Sequence, residues 1–528
     1  MFWADRIAQE IRQTRGGTGP ILIRDEKTVS GRVHVGSMRG VAIHGAIHEA
    51  LTDAGVPNTF VWEHNDFDPM DDIPVYLDRA AYEPHLGKPL CNIPSPDPSA
   101  GSYGEYFAKE FQKVIEDAGW HPEFAWASEL YKSGRMDDVI RTALLRAGDV
   151  RRIMKEVSGA DRKEGWLPVS VICPQCGKMT TTDATDFDGE TVQVNCYPTK
   201  VEYTKGCGFS GRVSPFGGNA KLYWKTDWPA KWKVYKVAVE GGGKDHSTKG
   251  GSRDVGKHIS TEVFDYPEPF DVPYEWFLIA GKKMSTSKGR GSSAAEIAAL
   301  VPAKIFRLAL LGKDINQAIN FDPEGDTIPV LYDQYDKLAL GYATTKDDDY
   351  ARLFELIHPR RVGKSDFPRG GRGGEVGLPQ TLPRFSQVAF AVQMPHLDLE
   401  KEFPEADKAE LHERALYAKR WLAEYAPEKF VFKLQDTLPE AAQHLSAVQK
   451  KALNTLHDHI ASSPAMPSGE DLHHFLHGLK ESEPIAPAEL FSAIYLAFLG
   501  KPMGPKAGWF LSVLPKEFVE KRLHEAGA

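Results

Sequence analysis

Two short strings in this chain of 528 residues carry side chains suited to handling a nucleoside triphosphate. The first is His34-Val35-Gly36-Ser37. Its surroundings place it where a strand ends and a helix begins. There, unpaired backbone N–H groups and the helix dipole favour an anion, and glycine lets a nucleotide approach the backbone. A histidine at that point can donate a hydrogen bond to a phosphate as charge builds in a transition state. The second string is Lys283-Met284-Ser285-Thr286-Ser287-Lys288-Gly289, within a polar stretch, residues 281 to 292, read as a loop between a strand and a helix. Two lysines and neighbouring hydroxyls on such a loop can close over a triphosphate and neutralise a leaving pyrophosphate. Alone, the HxGx string is weak, with an incidental loop histidine as the bland reading; joined to KMSTSKG it is specific.

A third constellation suits a metal. Cys173-Pro-Gln-Cys176, followed by Cys196 and Cys207, reads as a four-thiolate zinc site on a ribbon, because a CPxCG turn presents two sulfurs to one tetrahedral ion. The second pair is not a CxxC, and cysteines packed as small hydrophobes stay open as the alternative. Cys91 is left over.

The elements that must position these residues follow from periodicity. An apolar run at residues 20–23, helical spacing from Ser37 to Ala54 and a second apolar run at 59–62 predict a β-α-β unit, with the helix stopping at Gly55 before Pro57. A strand-like run at 275–280 feeds the polar loop, and Ser293-Ala-Ala-Glu296 predicts a capping box opening the next helix. Residues 170 to 215, with short β-like runs and the clustered cysteines, read as a small insertion. Beyond about residue 330 the pattern becomes amphipathic helices at 384–394, 407–425, 446–461, 470–481 and 488–499, with an Arg/Gly/Pro-rich linker at 358–379. The predicted fold class is α/β. A Rossmann-type catalytic domain occupies residues 1–168 and 216–325, a zinc-ribbon-like segment at 169–215 interrupts it, and an all-α region fills 326–528.

The bulk numbers fit a globular protein: 41% apolar, 26% charged, net charge -9. No run of about 18 apolar residues and no signal-peptide pattern occur, so a cytosolic place and no membrane contact are expected. Five cysteines are too few for a disulfide scaffold. Acidic bulk charge restricts any nucleic-acid contact to local patches, and no DNA partner is expected. One basic stretch, Arg141, Arg146, Arg151, Arg152 and Lys155, is read equally as a solvated helix face or an RNA contact.

HxGx near the N-terminus with KMSxSKG about 250 residues later resembles the class I aminoacyl-tRNA synthetases. The block from Trp224 to Trp232 (WKTDWPAKW), Gly243-Lys244-Asp245-His246, Tyr274-Glu275, and the segment from Ile494 to Phe510 are similar to the lysyl type within that class. The resemblance runs from about residue 3 to the C-terminus. It implies ATP with Mg2+, lysine and tRNA(Lys) as partners, with an anticodon-binding helical region. It implies that His34, Gly36, Lys283, Ser287 and Lys288 do the catalytic work on the phosphates, with Ser37 and Ser285 also at ATP. Gly243 and Asp245 would lie near the ribose. Thr28, Ser30 and Gly31 would line the lysine backbone, with Trp228, His246 and Tyr274 around its side chain, where aromatic rings can hold the methylene stem and face the ammonium.

That ammonium needs a carboxylate, since a buried unpaired charge is too costly. Strand alternation predicts Asp66 and Asp68 on one side, and these two are the candidates, with loop solvation as the bland reading and Glu275 as the fallback. Departures from the family pattern are Thr286 for lysine, Ser37 for histidine, Val29 for proline, and Thr204-Lys205 where a cysteine is expected before Cys207. Residues 97–107 hold neither Cys nor His, so a second zinc is not expected. The other readings are a glutamyl-like class I synthetase, a small-molecule nucleotidyltransferase, and a synthetase-derived RNA-binding protein.

Overall fold

Isoleucine and other apolar residues open the strand β1 (Ile21–Thr28), which pairs in parallel with β2 (Asn58–Asn65) on one side and β4 (Val239–Gly243) on the other. β2 continues to β3 (Glu123–Trp126) and β4 to β5 (Phe270–Tyr274), all parallel, in the order 5-4-1-2-3. Strand order therefore reverses between β1 and β4, and the crevice beyond their carboxyl ends is where open α/β sheets bind ligands. These facts come from a computed structural model, which describes residues 1–15, 19–282, 292–344, 349–358, 381–394, 397–482 and 484–528. The KMSTSKG string and residues 359–379 of the expected linker lie outside the described residues.

The chain divides into two compact units, Met1–Phe321 with Lys337–Val376, and Asp322–Asp336 with Gly377–Ala528. Residues 337–344 and 349–358, read from the sequence as part of the helical region, group with the first unit. In the first unit, helix α1 (Trp3–Arg15) packs on α2 (Met38–Asp53), the helix expected from residue 37 to 54. α2 is buried almost all round, with Met38, Val41, Ile43, Ile47 and Leu51 fully buried. Gly40 lets it lie close to the sheet: a Cβ there would collide with the Asp25 carboxylate and the Tyr274 hydroxyl. On the opposite face lies α3 (Trp224–Tyr235).

The insertion is a ribbon of three antiparallel strands, Thr182–Thr185, Val192–Cys196 and Ser210–Val213, beside a two-stranded pair of Val169–Val171 with Ala220–Leu222. In the second unit the helices Phe385–Ala391, Lys408–Glu424, Ala447–Ser462, Gly469–Ser482 and Pro487–Leu499 fall within the five expected windows to a few residues. The last three bury Leu453, Leu456, Ile460, Leu472, Ile494 and Phe498 in one core, and the first two meet around Val388, Leu411 and Ala415.

Candidate functional site

The expected strand-to-helix junction is present. His34 is extended (φ -70, ψ 151) and is followed by a single 3-10 turn, Val35–Ser37, before α2 begins. Its backbone pairs with the segment that follows the KMSTSKG string: His34 bridges Ser293, Val35 N donates to Ser292 O at 3.3 Å, and Ala294 N donates to Val33 O at 2.8 Å. Ser293 caps the helix Ala294–Ala298 in the expected capping box with Glu296. α2 is held in register by His44. Its Nε2 accepts from Gly241 N at 2.8 Å, so Nδ1 carries the proton it shares with Gly40 O at 2.8 Å and Asp25 at 3.2 Å.

On the other side of the crevice, β4 runs into Gly243-Lys244-Asp245-His246. A Cβ on Gly242 would touch both His246 and Trp228, at 3.6 and 3.7 Å. Trp224 stacks on Trp228 at 4.9 Å, Trp228 meets Trp232 at 5.4 Å, and His246 stands edge-on to Trp228 at 5.8 Å. The three tryptophans are i, i+4 neighbours on α3 and, with His246 from the turn after β4, form a continuous aromatic wall. Trp276 Nε1 donates to Asp245 at 3.3 Å, and Lys244 pairs with Glu275 at 2.7 Å. The Tyr274 hydroxyl lies on the α2 face, beside Gly40 and Asp25. Tyr274 is three residues beyond Asp271, which pairs with Glu240 across β5 and β4, and an odd offset along a strand reverses the face.

Against the aromatic wall lies a buried ion cluster. Arg24 binds Glu240 at 2.7 Å, Glu26 at 2.9 Å and Glu63 at 3.2 Å. Lys231 binds Glu63 at 2.6 Å, Glu26 at 2.9 Å and Asp227 at 3.1 Å. Lys221 bridges Asp227 at 3.0 Å and Asp68 at 2.7 Å, and Thr28 donates to Asp68 at 2.6 Å. Tyr131 donates to Asp227, and Trp232 Nε1 to Glu240 at 2.7 Å. Burial opposes ionisation of Glu63, yet Arg24 and Lys231 hold it at about 2. Glu240, where burial outweighs Arg24, is pushed up to about 7.

Asp68 thus joins the cluster at its outer edge, with 26% of its side chain exposed. Asp66 does not accompany it. β2 ends at Asn65, so alternation no longer governs residue 66, and both Asp66 oxygens accept from Ser128, from N at 2.8 Å and Oγ at 2.6 Å. Ser30 and Gly31 follow β1 in the turn before His34, where Ser30 O accepts from Tyr103 OH at 2.8 Å.

A family model described as tRNA synthetases class I (K) matches residues 1–360. The chain belongs to the class I tRNA synthetases. It is 33% identical over 550 residues to a lysine–tRNA ligase of Methanosarcina barkeri, spanning 100% of this chain and 98% of that protein. It is 31% identical over 537 residues to the lysine–tRNA ligase of Archaeoglobus fulgidus, with 100% of each chain covered. The lysine–tRNA ligase of Methanocaldococcus jannaschii is 29% identical over 556 residues, 99% of both chains.

In this synthetase the four clustered cysteines converge although their spacing is irregular. All four Sγ atoms lie within 4.8 Å of one another, with Cys173–Cys207 at 3.5 Å and Cys176–Cys196 at 3.8 Å. Sulfurs around one zinc, at about 2.3 Å each in a tetrahedron, are about 3.8 Å apart, so the set fits. Cys196 and Cys207 meet across the loop between two ribbon strands: Gly208 N donates to Cys196 O at 2.9 Å and Cys207 N to Cys196 Sγ at 3.3 Å. Gly206 permits this, since a Cβ would strike Cys196 Sγ at 2.8 Å. Thr204 and Lys205 do other work: Lys178 donates to the Thr204 hydroxyl at 2.6 Å and to Lys205 O at 3.1 Å.

Sequence reasoning missed Arg24, Glu26, Glu63, Lys221, Asp227, Lys231 and Glu240. A signal existed in Arg24-Asp-Glu-Lys27 inside the central strand of the synthetase sheet, where a parallel strand covered on both faces normally reads as an unbroken apolar run. The basic stretch 141–155 is engaged internally: Arg146 pairs with Asp149 at 2.7 Å, Arg152 with Glu262 at 2.8 Å, and Arg151 donates to Trp166 O at 2.9 Å. No helix among the described residues is long and apolar enough to cross a membrane.

Proposed function

We propose that this synthetase activates L-lysine with ATP and transfers it to tRNA(Lys), in the cytoplasm. The observation that supports this most is the β1/β4 crevice, where the His34 junction, the Gly243–His246 turn, the tryptophan wall and a carboxylate-rich cluster share the carboxyl ends of two strands. In this reading the lysine carboxylate attacks the α-phosphorus of ATP, the α–β phosphoanhydride bond breaks, and pyrophosphate leaves with its charge. His34, with Gly36 and Ser37, meets the phosphates at the helix start. Lys283, Ser285, Ser287 and Lys288 neutralise the pyrophosphate, and Mg2+ accompanies ATP. Positioning and charge stabilisation supply the acceleration. Gly243 and Asp245 face the ribose, and Thr28, Ser30 and Gly31 hold the amino-acid backbone. The terminal adenosine of tRNA then attacks the adenylate through its 2′-hydroxyl, releasing AMP, while the helical unit binds the anticodon stem-loop.

Charging of total tRNA with each amino acid in turn tests this. Lysine alone is expected to be esterified; glutamate in its place would turn the reading to a glutamyl-like enzyme. Absence of pyrophosphate exchange with every amino acid, tRNA present, would indicate a synthetase-derived RNA-binding protein. The ribbon is proposed to hold one structural zinc on Cys173, Cys176, Cys196 and Cys207, where the ion would fix the insertion and take no part in the chemistry. About one zinc per chain is expected in freshly prepared protein, and Cys173→Ser should lose it. Metal-free protein obtained without chelators would end that proposal.

A further inference from the structure

This inference rests on the lysine reading and names the group that selects the side chain. Within the ion cluster both oxygens of Asp68, Asp227 and Glu240 are engaged by donors. Glu26 Oε1, Glu63 Oε2 and Asn65 Oδ1 are buried and have no hydrogen-bond partner of ordinary geometry among the described residues; the Glu63 carboxylate has the Tyr235 side chain beside it, which leaves Glu26 and Asn65. Glu26 lies opposite Glu63 and Thr28 opposite Asn65 in the β1/β2 register, so Glu26 and Asn65 are diagonal neighbours on the α3 face, at about 7–8 Å. Two buried oxygens that only accept call for a group with several N–H bonds. The charge count agrees in sign: among the described residues Glu26, Glu63, Asp68, Asp227 and Glu240 face Arg24, Lys221 and Lys231, with Lys27 acting on Asp68 as well, so cations do not outnumber the carboxyl groups.

We propose that Glu26, with Asn65 beside it, accepts the side-chain ammonium of the amino-acid substrate. Three ammonium protons suit acceptors of this kind. The methylene stem would pass Asp68 and Trp224, the cluster's and the wall's exposed members, and lie along Trp224 and Trp228. Lys231 keeps Glu63 and Asp227 as its own partners.

Glu26→Gln tests this, because glutamine keeps an oxygen for Arg24 and Lys231 while the free oxygen becomes an amide donor. The lysine KM in pyrophosphate exchange is expected to rise about 100-fold or more, with the ATP KM within about twofold of wild type. The melting temperature without lysine should equal or exceed the wild-type value, since a surplus buried charge is lost, and the upward shift on adding lysine should vanish. A purely structural Glu26 gives the opposite pattern, a lowered melting temperature with an unchanged lysine KM, and would overturn the assignment. Norleucine, the uncharged analogue, supporting exchange as well as lysine in the wild type would overturn it too. Stabilisation by ornithine or arginine in place of lysine would dismiss the lysine reading and leave Glu26 as the cation acceptor. No shift with any cationic amino acid would remove both.

Discussion

On the α2 face of the sheet, Asp25, His44 and the Gly241 amide form a closed chain in which each polar group meets one of opposite sense, and His64 is fully buried among Phe124 and Trp126. On the α3 face of the same strands, five carboxyl groups face Arg24, Lys221 and Lys231, with Lys27 also acting on Asp68, and Glu26 retains an oxygen with no donor among the described residues. The first arrangement suits a support: it locks α2 and thereby sets the backbone of His34. The second costs stability, and that cost makes sense where a ligand brings a positive charge. Matched polar groups hold α2 still, whereas a buried carboxylate oxygen without a donor beside other carboxylates marks a place that suits a cation.

The largest expected effect separates the matched core of the cluster from its surplus edge. Glu63→Ala removes the carboxylate that both Lys231, at 2.6 Å, and Arg24, at 3.2 Å, lean on. Taking one partner from a buried pair should cost roughly 3 to 5 kcal/mol in chemical denaturation. A loss below about 1 kcal/mol would mean that the cluster reorganises freely and that the contrast between the two faces is shallow.

Glu240 gives the next effect, and it depends on pH. Its carboxyl is raised from 4.5 to about 7 by burial, only partly offset by Arg24. A carboxyl raised in the folded state binds its proton more tightly than in the unfolded chain, so stability falls as pH climbs between those two values and levels off above the upper one. Glu240→Gln stays neutral throughout. Its stability relative to wild type should therefore grow across that window, to roughly 3 kcal/mol at most. Melting curves at pH 5 and pH 8 measure this; a difference that does not change with pH would show that Glu240 remains ionised.

Much of the support could be read from the sequence, and much of the recognising face could not. The β-α-β unit, the junction at His34, the Ser293–Glu296 capping box and the five C-terminal helices each depend on local spacing, and each is present. The cluster depends on register instead. Only the pairing of Glu26 with Glu63, and of α3 against both, brings residues 24, 63, 231 and 240 together. Asp66 illustrates the limit: one residue past the end of β2 the alternation lapses, and its carboxylate caps Ser128. Cys196 and Cys207 illustrate the converse, since an irregular spacing is closed by a strand-to-strand loop that no motif describes.

The smallest effect at neutral pH tests the support face, at His64. Neither ring nitrogen has a hydrogen-bond partner among the described residues, and burial lowers the ring's pKa to about 3, so the imidazole is neutral. Its ring lies parallel to Phe124 at 5.4 Å, a contact that phenylalanine would keep. His64→Phe removes two polar atoms left without bonds and should leave stability at pH 8 unchanged or higher by about 1 kcal/mol. The pH dependence has a definite sign. A histidine whose folded pKa is depressed contributes stability above its unfolded value, 6.5, and loses it progressively as pH falls toward the folded one. The variant's advantage should therefore widen between pH 6.5 and pH 4. Were His64→Phe instead to lose stability at pH 8, or to slow pyrophosphate exchange, those nitrogens would have a partner in the working enzyme. The α2 face would then take part in binding as well as in support.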